Sequence, residues 1–260
     1  MNNRINKLFQ EKKEGILSVY FTAGYPNLDD TLPIIQALQA NGVNLIEIGM
    51  PFSDPVADGP VIQYSSQIAL KNGMSVSKLF EQLKNIRQSV EIPLILMGYI
   101  NPVLQYGVEA FCQKCDETGI DGLIIPDLPL IVYEEEFKTI FEAHNLHNIF
   151  LITPQTSEER IRIIDQASTG FIYIVSSNAT TGAKSTVSDF QKGYFERVNS
   201  FSLKNQRLIG FGISNAETFR NACQYAGGAI IGSAFVKALD GAGTLDLKVS
   251  GFINSIGSKS

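Results

Sequence analysis

The chain has little of what disulfide or metal chemistry needs. Its 260 residues hold three cysteines and two histidines, and an odd number of thiols in a chain of this size makes no disulfide framework. Cys112 and Cys115 form a C-x-x-C within the helical stretch Val108 to Thr118, with no second pair nearby. On one side of a helix that spacing reads as packing rather than as a redox or metal site. His144 and His147 flank an expected helix-to-strand turn; with no third ligand beside them they read as a surface turn, and no metal is expected. Positive charge is also thin. Against 26 Asp and Glu stand 21 Lys and Arg, a net charge of −5, and their scatter leaves no basic stripe for a nucleic-acid backbone. No apolar run reaches the length of a bilayer span. The segment Met1 to Gly15 is polar with charges of both signs, unlike the apolar core of a signal peptide. A cytoplasmic protein with neither nucleic-acid nor membrane partner is the expectation.

What is present is a large apolar fraction, 44%, sufficient for one sizeable core; one domain covering 1–260 is expected. Eight short apolar runs recur: Leu17-Phe21, Leu45-Gly49, Leu94-Met97, Gly122-Ile125, Asn148-Ile152, Phe171-Val175, Leu208-Phe211 and Ala229-Ile231. Most are continuously apolar, as in parallel strands covered on both faces. Between them lie helical segments with start signals at Thr156-Ser157-Glu158-Glu159 and Ser214-Asn215-Ala216-Glu217 and stop signals at Asn41-Gly42 and Thr118-Gly119. Eight β-then-α units predict a (β/α)8 barrel with an additional N-terminal helix and extra helices in the loops. The rival is an open doubly wound sheet binding a dinucleotide. Gly210-Phe211-Gly212 superficially suits it, but the third glycine position is Asn215 and the next strand ends in Ile231-Gly232 rather than an acid.

Alternation along a strand puts Leu45, Glu47 and Gly49 on one face and Ile46 and Ile48 on the other. The isoleucines suit the helix layer, so Glu47 is expected in the barrel mouth, and the same parity turns Tyr173 inward. A carboxyl group in apolar surroundings has a raised pKa and can donate a proton as well as accept one. The alternative for Glu47 is an ion pair with a buried base, against which stands the absence of Lys and Arg from the eight runs. Asp58 lies in a loop stiffened by Pro51, Pro55 and Pro60; it reads either as a second acid held for proton transfer or as a turn and cap residue. Gly210, Gly212, Gly232 and Ser233 fall where the last two strands meet helices, and Thr181-Gly182 lies in the polar stretch Ser176 to Val187. Backbone amides there suit a phosphate, although glycines also serve tight turns.

The run Glu47-Ile48-Gly49-Met50-Pro51-Phe52-Ser53-Asp54-Pro55-Val56-Ala57-Asp58-Gly59-Pro60 resembles the signature of the tryptophan synthase α-subunit family. Weaker motifs elsewhere in the chain fall in the family's order: Phe21-Thr22-Ala23-Gly24-Tyr25-Pro26 before that run, and Pro126-Asp127-Leu128-Pro129, Gly210-Phe211-Gly212-Ile213-Ser214 and Gly232-Ser233-Ala234 after it. The resemblance implies a barrel that cleaves indole-3-glycerol phosphate to indole and glyceraldehyde 3-phosphate, with Glu47 as proton shuttle and Asp58 on the ring N–H. It implies that Tyr20, Ile62, Met97 and Phe211 line the indole pocket, that Tyr173 meets the glycerol hydroxyls, and that Thr181, Gly182, Gly212, Gly232 and Ser233 hold the phosphate. It implies no cofactor in this chain, a β-subunit partner carrying pyridoxal phosphate in an α2β2 complex, and a shared surface near the loops of Asp54 and Asn178. The family's Gly-Val-Thr-Gly is here Ala179-Thr180-Thr181-Gly182, a loss of backbone freedom expected to stiffen that loop. Two other functions compete: an allosteric binding subunit with little turnover, and an isomerase acting on a related sugar phosphate.

Overall fold

Among the described residues nine strands, each parallel to its neighbours, form one sheet: β1 (Ile16–Thr22), β2 (Leu45–Gly49), β3 (Leu94–Met97), β4 (Gly122–Ile124), β5 (His147–Asn148), β6 (Phe150–Ile152), β7 (Phe171–Val175), β8 (Gln206–Gly210) and β9 (Gly228–Ile231). The computed structural model describes residues 3–176, 189–210 and 212–257. Strand order runs β5-β4-β3-β2-β1-β9-β8-β7-β6. The two ends of that order are consecutive in the chain and separated by Ile149 alone, whose N–H donates to the Leu123 carbonyl at 3.0 Å. β5 and β6 are thus one strand with a break, and the sheet closes on itself as a (β/α)8 barrel. An open doubly wound sheet has two free edges and does not fit this order.

The two-residue period of each strand divides the core in two. Ile46 and Ile48 of β2, Ile172 and Ile174 of β7 and Leu94 and Leu96 of β3 pack outward with the helices. Leu45, Ile95, Ile124, Phe171, Tyr173, Leu208 and Ile230 form a separate cluster inside the barrel. The expected N-terminal helix, Arg4–Glu11, closes the lower end of that interior. It is capped by the Asn3 side chain and buries Ile5 and Phe9, with the Phe9 ring 5.8 Å from that of Phe171. Burying such a phenyl group contributes roughly 1.5–3 kcal/mol. The same end is tied by Asp121, 1% exposed, which accepts hydrogen bonds from Arg87 (2.7 Å), Arg4 (3.0 Å) and the Leu94 amide (2.9 Å).

Three details depart from the sequence reading. His147 is no surface residue: it begins β5, is 1% exposed, and bonds Thr169 and Asn6 through its two ring nitrogens. Burial pushes its pKa down to about 4, because an apolar surrounding disfavours the imidazolium. β8 starts earlier than the run Leu208-Phe211 suggests, which puts Arg207 on a strand; its neighbour in register is the outward-facing Ile172, and it interacts with Asp165 rather than with the interior. Helix starts are set one residue later than the motifs imply. Ser157 caps Glu158–Ala167, and Asn215 with Thr218 forms the box that opens Ala216–Cys223. Cys112 and Cys115 are both buried on the helix Val108–Thr118, and burial pushes the Cys112 thiol up to about 12. Among the described residues no helix is long and apolar enough to cross a membrane, and no group of His, Cys, Asp and Glu is placed to hold a metal ion.

Candidate active site

Glu47 stands on the inner face of β2, opposite Tyr20 of β1 in register, and is fully buried. Its Oε1 accepts a hydrogen bond from the Ser18 hydroxyl at 2.8 Å, while Oε2 has no hydrogen-bond partner among the described residues. No ion pair engages it among the described residues. Burial pushes the carboxyl up to about 8, with the Ser18 hydroxyl pulling in the other direction. The cause is desolvation: an unpaired carboxylate away from water is costly, so the neutral acid persists.

Asp58 lies in the connection that follows β2, where its N–H closes a turn on the Pro55 carbonyl at 3.0 Å. The next helix, Pro60–Lys71, is entered through Gly59 with Pro60 in its first turn, and Asp58 does not cap it. The carboxylate is turned instead toward Tyr99, whose hydroxyl donates to Oδ2 at 3.1 Å and accepts from the Ala57 N–H at 2.9 Å. Burial pushes Asp58 up to about 6, opposed by that tyrosine. Tyr20 and Tyr173 each lie in the field of both carboxylates. Burial and then Asp58 raise Tyr20, with Glu47 a smaller cause; burial and then Glu47, Asp58 and Tyr20 raise Tyr173. The two acids and two phenols therefore occupy one end of the barrel, at the C-terminal ends of the strands.

Both phenol rings rest on glycine. A Cβ built on Gly49 would lie 2.2 Å from the Tyr20 hydroxyl oxygen, and one on Gly210 would lie 2.1 Å from that of Tyr173. Gly49 and Gly210 sit on the strands next to β1 and β7, each two residues above the tyrosine's partner in register. Absent side chains there are what let the rings lie across the mouth. At Gly210 the missing side chain makes room for Tyr173.

A cavity at this mouth is lined by Tyr20, Phe52, Asp58, Met97, Tyr99 and Pro126, among others. Glu47 is not part of this lining, but Tyr20, its partner in register, is. Ile62 is 7% exposed and packs with the outer core; from its helix it is Ser66 that reaches the cavity. Gly232 borders Tyr20, with its Cβ position 3.5 Å from the tyrosine's Cβ, and precedes the helix Ser233–Leu239; Ser233 is exposed. Gly212 is exposed, with φ +76°. Thr181, Gly182, Phe211 and the Ala179-Thr180 departure lie outside the described residues, as does Asn178. Ser18 and Tyr99 are residues beside the two acids that motif reading passes over, while Phe52 and Gly49 fall inside the signature run without a role assigned to them. Ser18 was detectable from parity, because Ser18, Tyr20 and Thr22 alternate with Leu17, Val19 and Phe21 along β1.

The family model described as "Tryptophan synthase alpha chain" matches residues 6–250. Among curated proteins, the tryptophan synthase alpha chain of Flavobacterium johnsoniae is 62% identical over 98% of this chain and 99% of its own length. That of Parabacteroides distasonis is 59% identical over 91% and 92%. Among solved structures, tryptophan synthase subunit alpha from Legionella pneumophila superposes with a TM-score of 0.88 at 32% identity, covering 98% of this chain and 97% of that one. A tryptophan synthase chain from Mycobacterium tuberculosis gives the same TM-score at 30% identity over 98% and 97%. With its barrel closed, its two acids gathered at one mouth and its whole length matched, the chain belongs to the tryptophan synthase alpha chain family.

Proposed function

We propose that Glu47 and Asp58 are the acid–base pair with which this lyase cleaves indole-3-glycerol phosphate into indole and glyceraldehyde 3-phosphate. The observation that carries this reading is the different surroundings of the two carboxyl groups: Glu47 is fully buried with Oε2 unpaired, whereas Asp58 lines the cavity and accepts a hydrogen bond from Tyr99, so burial pushes Glu47 up to about 8 and Asp58 only to about 6. Near neutral pH one is a proton donor and the other an anion, an assignment of roles made by burial.

The chemistry follows from those states. Neutral Glu47 gives its proton to C3 of the indole, and the ring becomes an indolenine whose positive charge rests on the nitrogen. Ionised Asp58 accepts a hydrogen bond from that N–H and stabilises the charge. Glu47, now a carboxylate, takes the proton of the side-chain hydroxyl; the C3–carbon bond breaks, its electrons return to the ring, and the aldehyde leaves. Protons balance, since the one lost by the hydroxyl replaces the one given to C3. Tyr20, Met97, Ile62 and Phe211 are proposed for the indole pocket and Tyr173 for the glycerol hydroxyls. Gly212, Gly232, Ser233, Thr181 and Gly182 are proposed for the phosphate, supported by the open glycine at Gly212 and by the helix that starts after Gly232.

As a tryptophan synthase alpha chain, the protein works with a β subunit. An α2β2 assembly with pyridoxal phosphate on that subunit, a contact surface around Asp54 and Asn178, and a cytoplasmic location are the finer proposals, as is a single domain over 1–260. The test is to supply indole-3-glycerol phosphate to the purified chain, alone and with a β subunit, and to follow indole and glyceraldehyde 3-phosphate. Both products are expected. Neither product in either case would favour a purely allosteric subunit, and a rearranged sugar phosphate in their place would favour an isomerase.

A further inference from the structure

We propose that Ser18 is a positioning residue for the cleavage: its hydroxyl holds Oε1 of Glu47, so that the proton to be transferred resides on Oε2, the oxygen left for substrate. This rests on Glu47 being the proton shuttle.

The inner face of β1 at Ser18 is an apolar layer. Its Cα partners on the neighbouring strands are Leu45 and Ile230, both in the interior cluster. A hydroxyl group placed there, fully buried, needs a polar partner. It finds one in Glu47, at 2.8 Å. The carboxyl group is thereby made asymmetric. One oxygen is engaged by the Ser18 hydroxyl; the other, equally buried, has no partner among the described residues. The carbonyl oxygen of a neutral carboxylic acid is its better acceptor, so with Ser18 donating to Oε1 the proton is placed on Oε2. Ser18 thus fixes both which oxygen is the acid and where it points.

The same bond acts again after transfer. When Glu47 loses its proton, negative charge develops in a site from which water is excluded, and a hydrogen bond to a charged acceptor is stronger than one to a neutral acid. The other ionisable groups around Glu47 are Tyr20 on β1, Tyr173 on β7 and Asp58 beyond β2; β3 contributes Ile95 and Met97. None of these supplies a cation. The Ser18 hydroxyl is the hydrogen-bond donor seen on Glu47 among the described residues.

The test compares wild type, Ser18→Ala, Ser18→Cys and Glu47→Gln in the complex with the β subunit, measuring kcat and KM for indole-3-glycerol phosphate against pH. Loss of the donor leaves desolvation unopposed, so the alkaline limb, where Glu47 ionises, is expected to move up by roughly one pH unit in Ser18→Ala. At neutral pH kcat is expected to fall about tenfold with KM little changed, since an acid less well aimed and harder to ionise donates more slowly. Ser18→Cys keeps a side chain of similar size with a weak donor and is expected to fall between the two; it also serves should alanine unsettle the fold. An unmoved limb and unchanged kcat in a folded Ser18 variant, with Glu47→Gln inactive, would overturn the role of Ser18 alone. Turnover in Glu47→Gln would instead overturn the proton-shuttle reading beneath it.

Discussion

The Tyr99 hydroxyl links the Ala57 amide to the Asp58 carboxylate, accepting from one at 2.9 Å and donating to the other at 3.1 Å. Tyr99 is itself 6% exposed and stacks obliquely on Phe52, ring centroids 5.2 Å apart. A residue two positions past the end of β3 therefore sets the position of an acid in the connection after β2. In Tyr99→Phe the ring packing survives and the bond does not. Asp58 then loses the group that opposes desolvation, so its pKa rises and the acid limb of kcat/KM is expected to move up by about half a unit or more. Initial rates between pH 5 and 7 check this; an unmoved limb would separate Tyr99 from the ionisation of Asp58.

Wild-type turnover is expected to be bell-shaped. Asp58 must be ionised, so activity falls as pH drops through about 6; Glu47 must be protonated, so activity falls as pH rises through about 8. Both groups have raised folded pKa values, and the sign for stability is therefore the opposite of a salt bridge. For Glu47, the unfolded chain releases its proton near 4.5 while the folded chain holds it to about 8. Unfolding free energy is expected to decline across that interval in wild type and to decline less in Glu47→Gln. Urea titrations of the two proteins at several pH values read the difference directly.

Gly210→Ala places a methyl group where the Tyr173 hydroxyl now lies, 2.1 Å from its oxygen. The ring must move, and overpacking of this kind costs roughly 1–3 kcal/mol. We expect that loss by denaturant titration together with a fall in turnover, because the displaced phenol stands in the field of both acids. Turnover at the wild-type level would separate Tyr173 from the site.

Asp121 serves the other end of the barrel. Removing it in Asp121→Ala leaves Arg87, 18% exposed, without its carboxylate, held only by the Gly119, Val90 and Ile92 carbonyls, and the Leu94 amide unpaired. A loss of roughly 3–5 kcal/mol is expected, the Arg4 contact contributing little of it because Arg4 is 40% exposed and screened by solvent. At a temperature where the variant stays folded, kcat should match wild type. A matching fall in kcat would mean that the two ends of the barrel are coupled.

Strand parity made much of this legible. Ile46 and Ile48 are large and apolar and must meet helices, so Glu47 between them can only turn inward; the same holds for Tyr173 between Ile172 and Ile174. Asp58 was harder, because aspartate beside glycine is also a turn, and the tyrosine that holds its carboxylate lies 41 positions away, where local pattern does not reach. Tyr99 itself follows a strand, where no period applies. The pairing of Tyr20 with Gly49 and of Tyr173 with Gly210 depends on register between strands distant in sequence, which local pattern does not carry. His147 was misplaced for a similar reason: a polar side chain near a helix end reads as exposed until Asn6 and Thr169 arrive from distant segments to satisfy it.

The most direct test is Glu47→Gln in complex with the β subunit, with substrate binding and indole release measured on the same sample. Glutamine keeps the shape and loses the exchangeable acid. We expect indole-3-glycerol phosphate to bind nearly as in wild type and indole formation to fall by at least ~10²-fold. Indole release at a rate near wild type would contradict the assignment of Glu47 as the group that moves the proton.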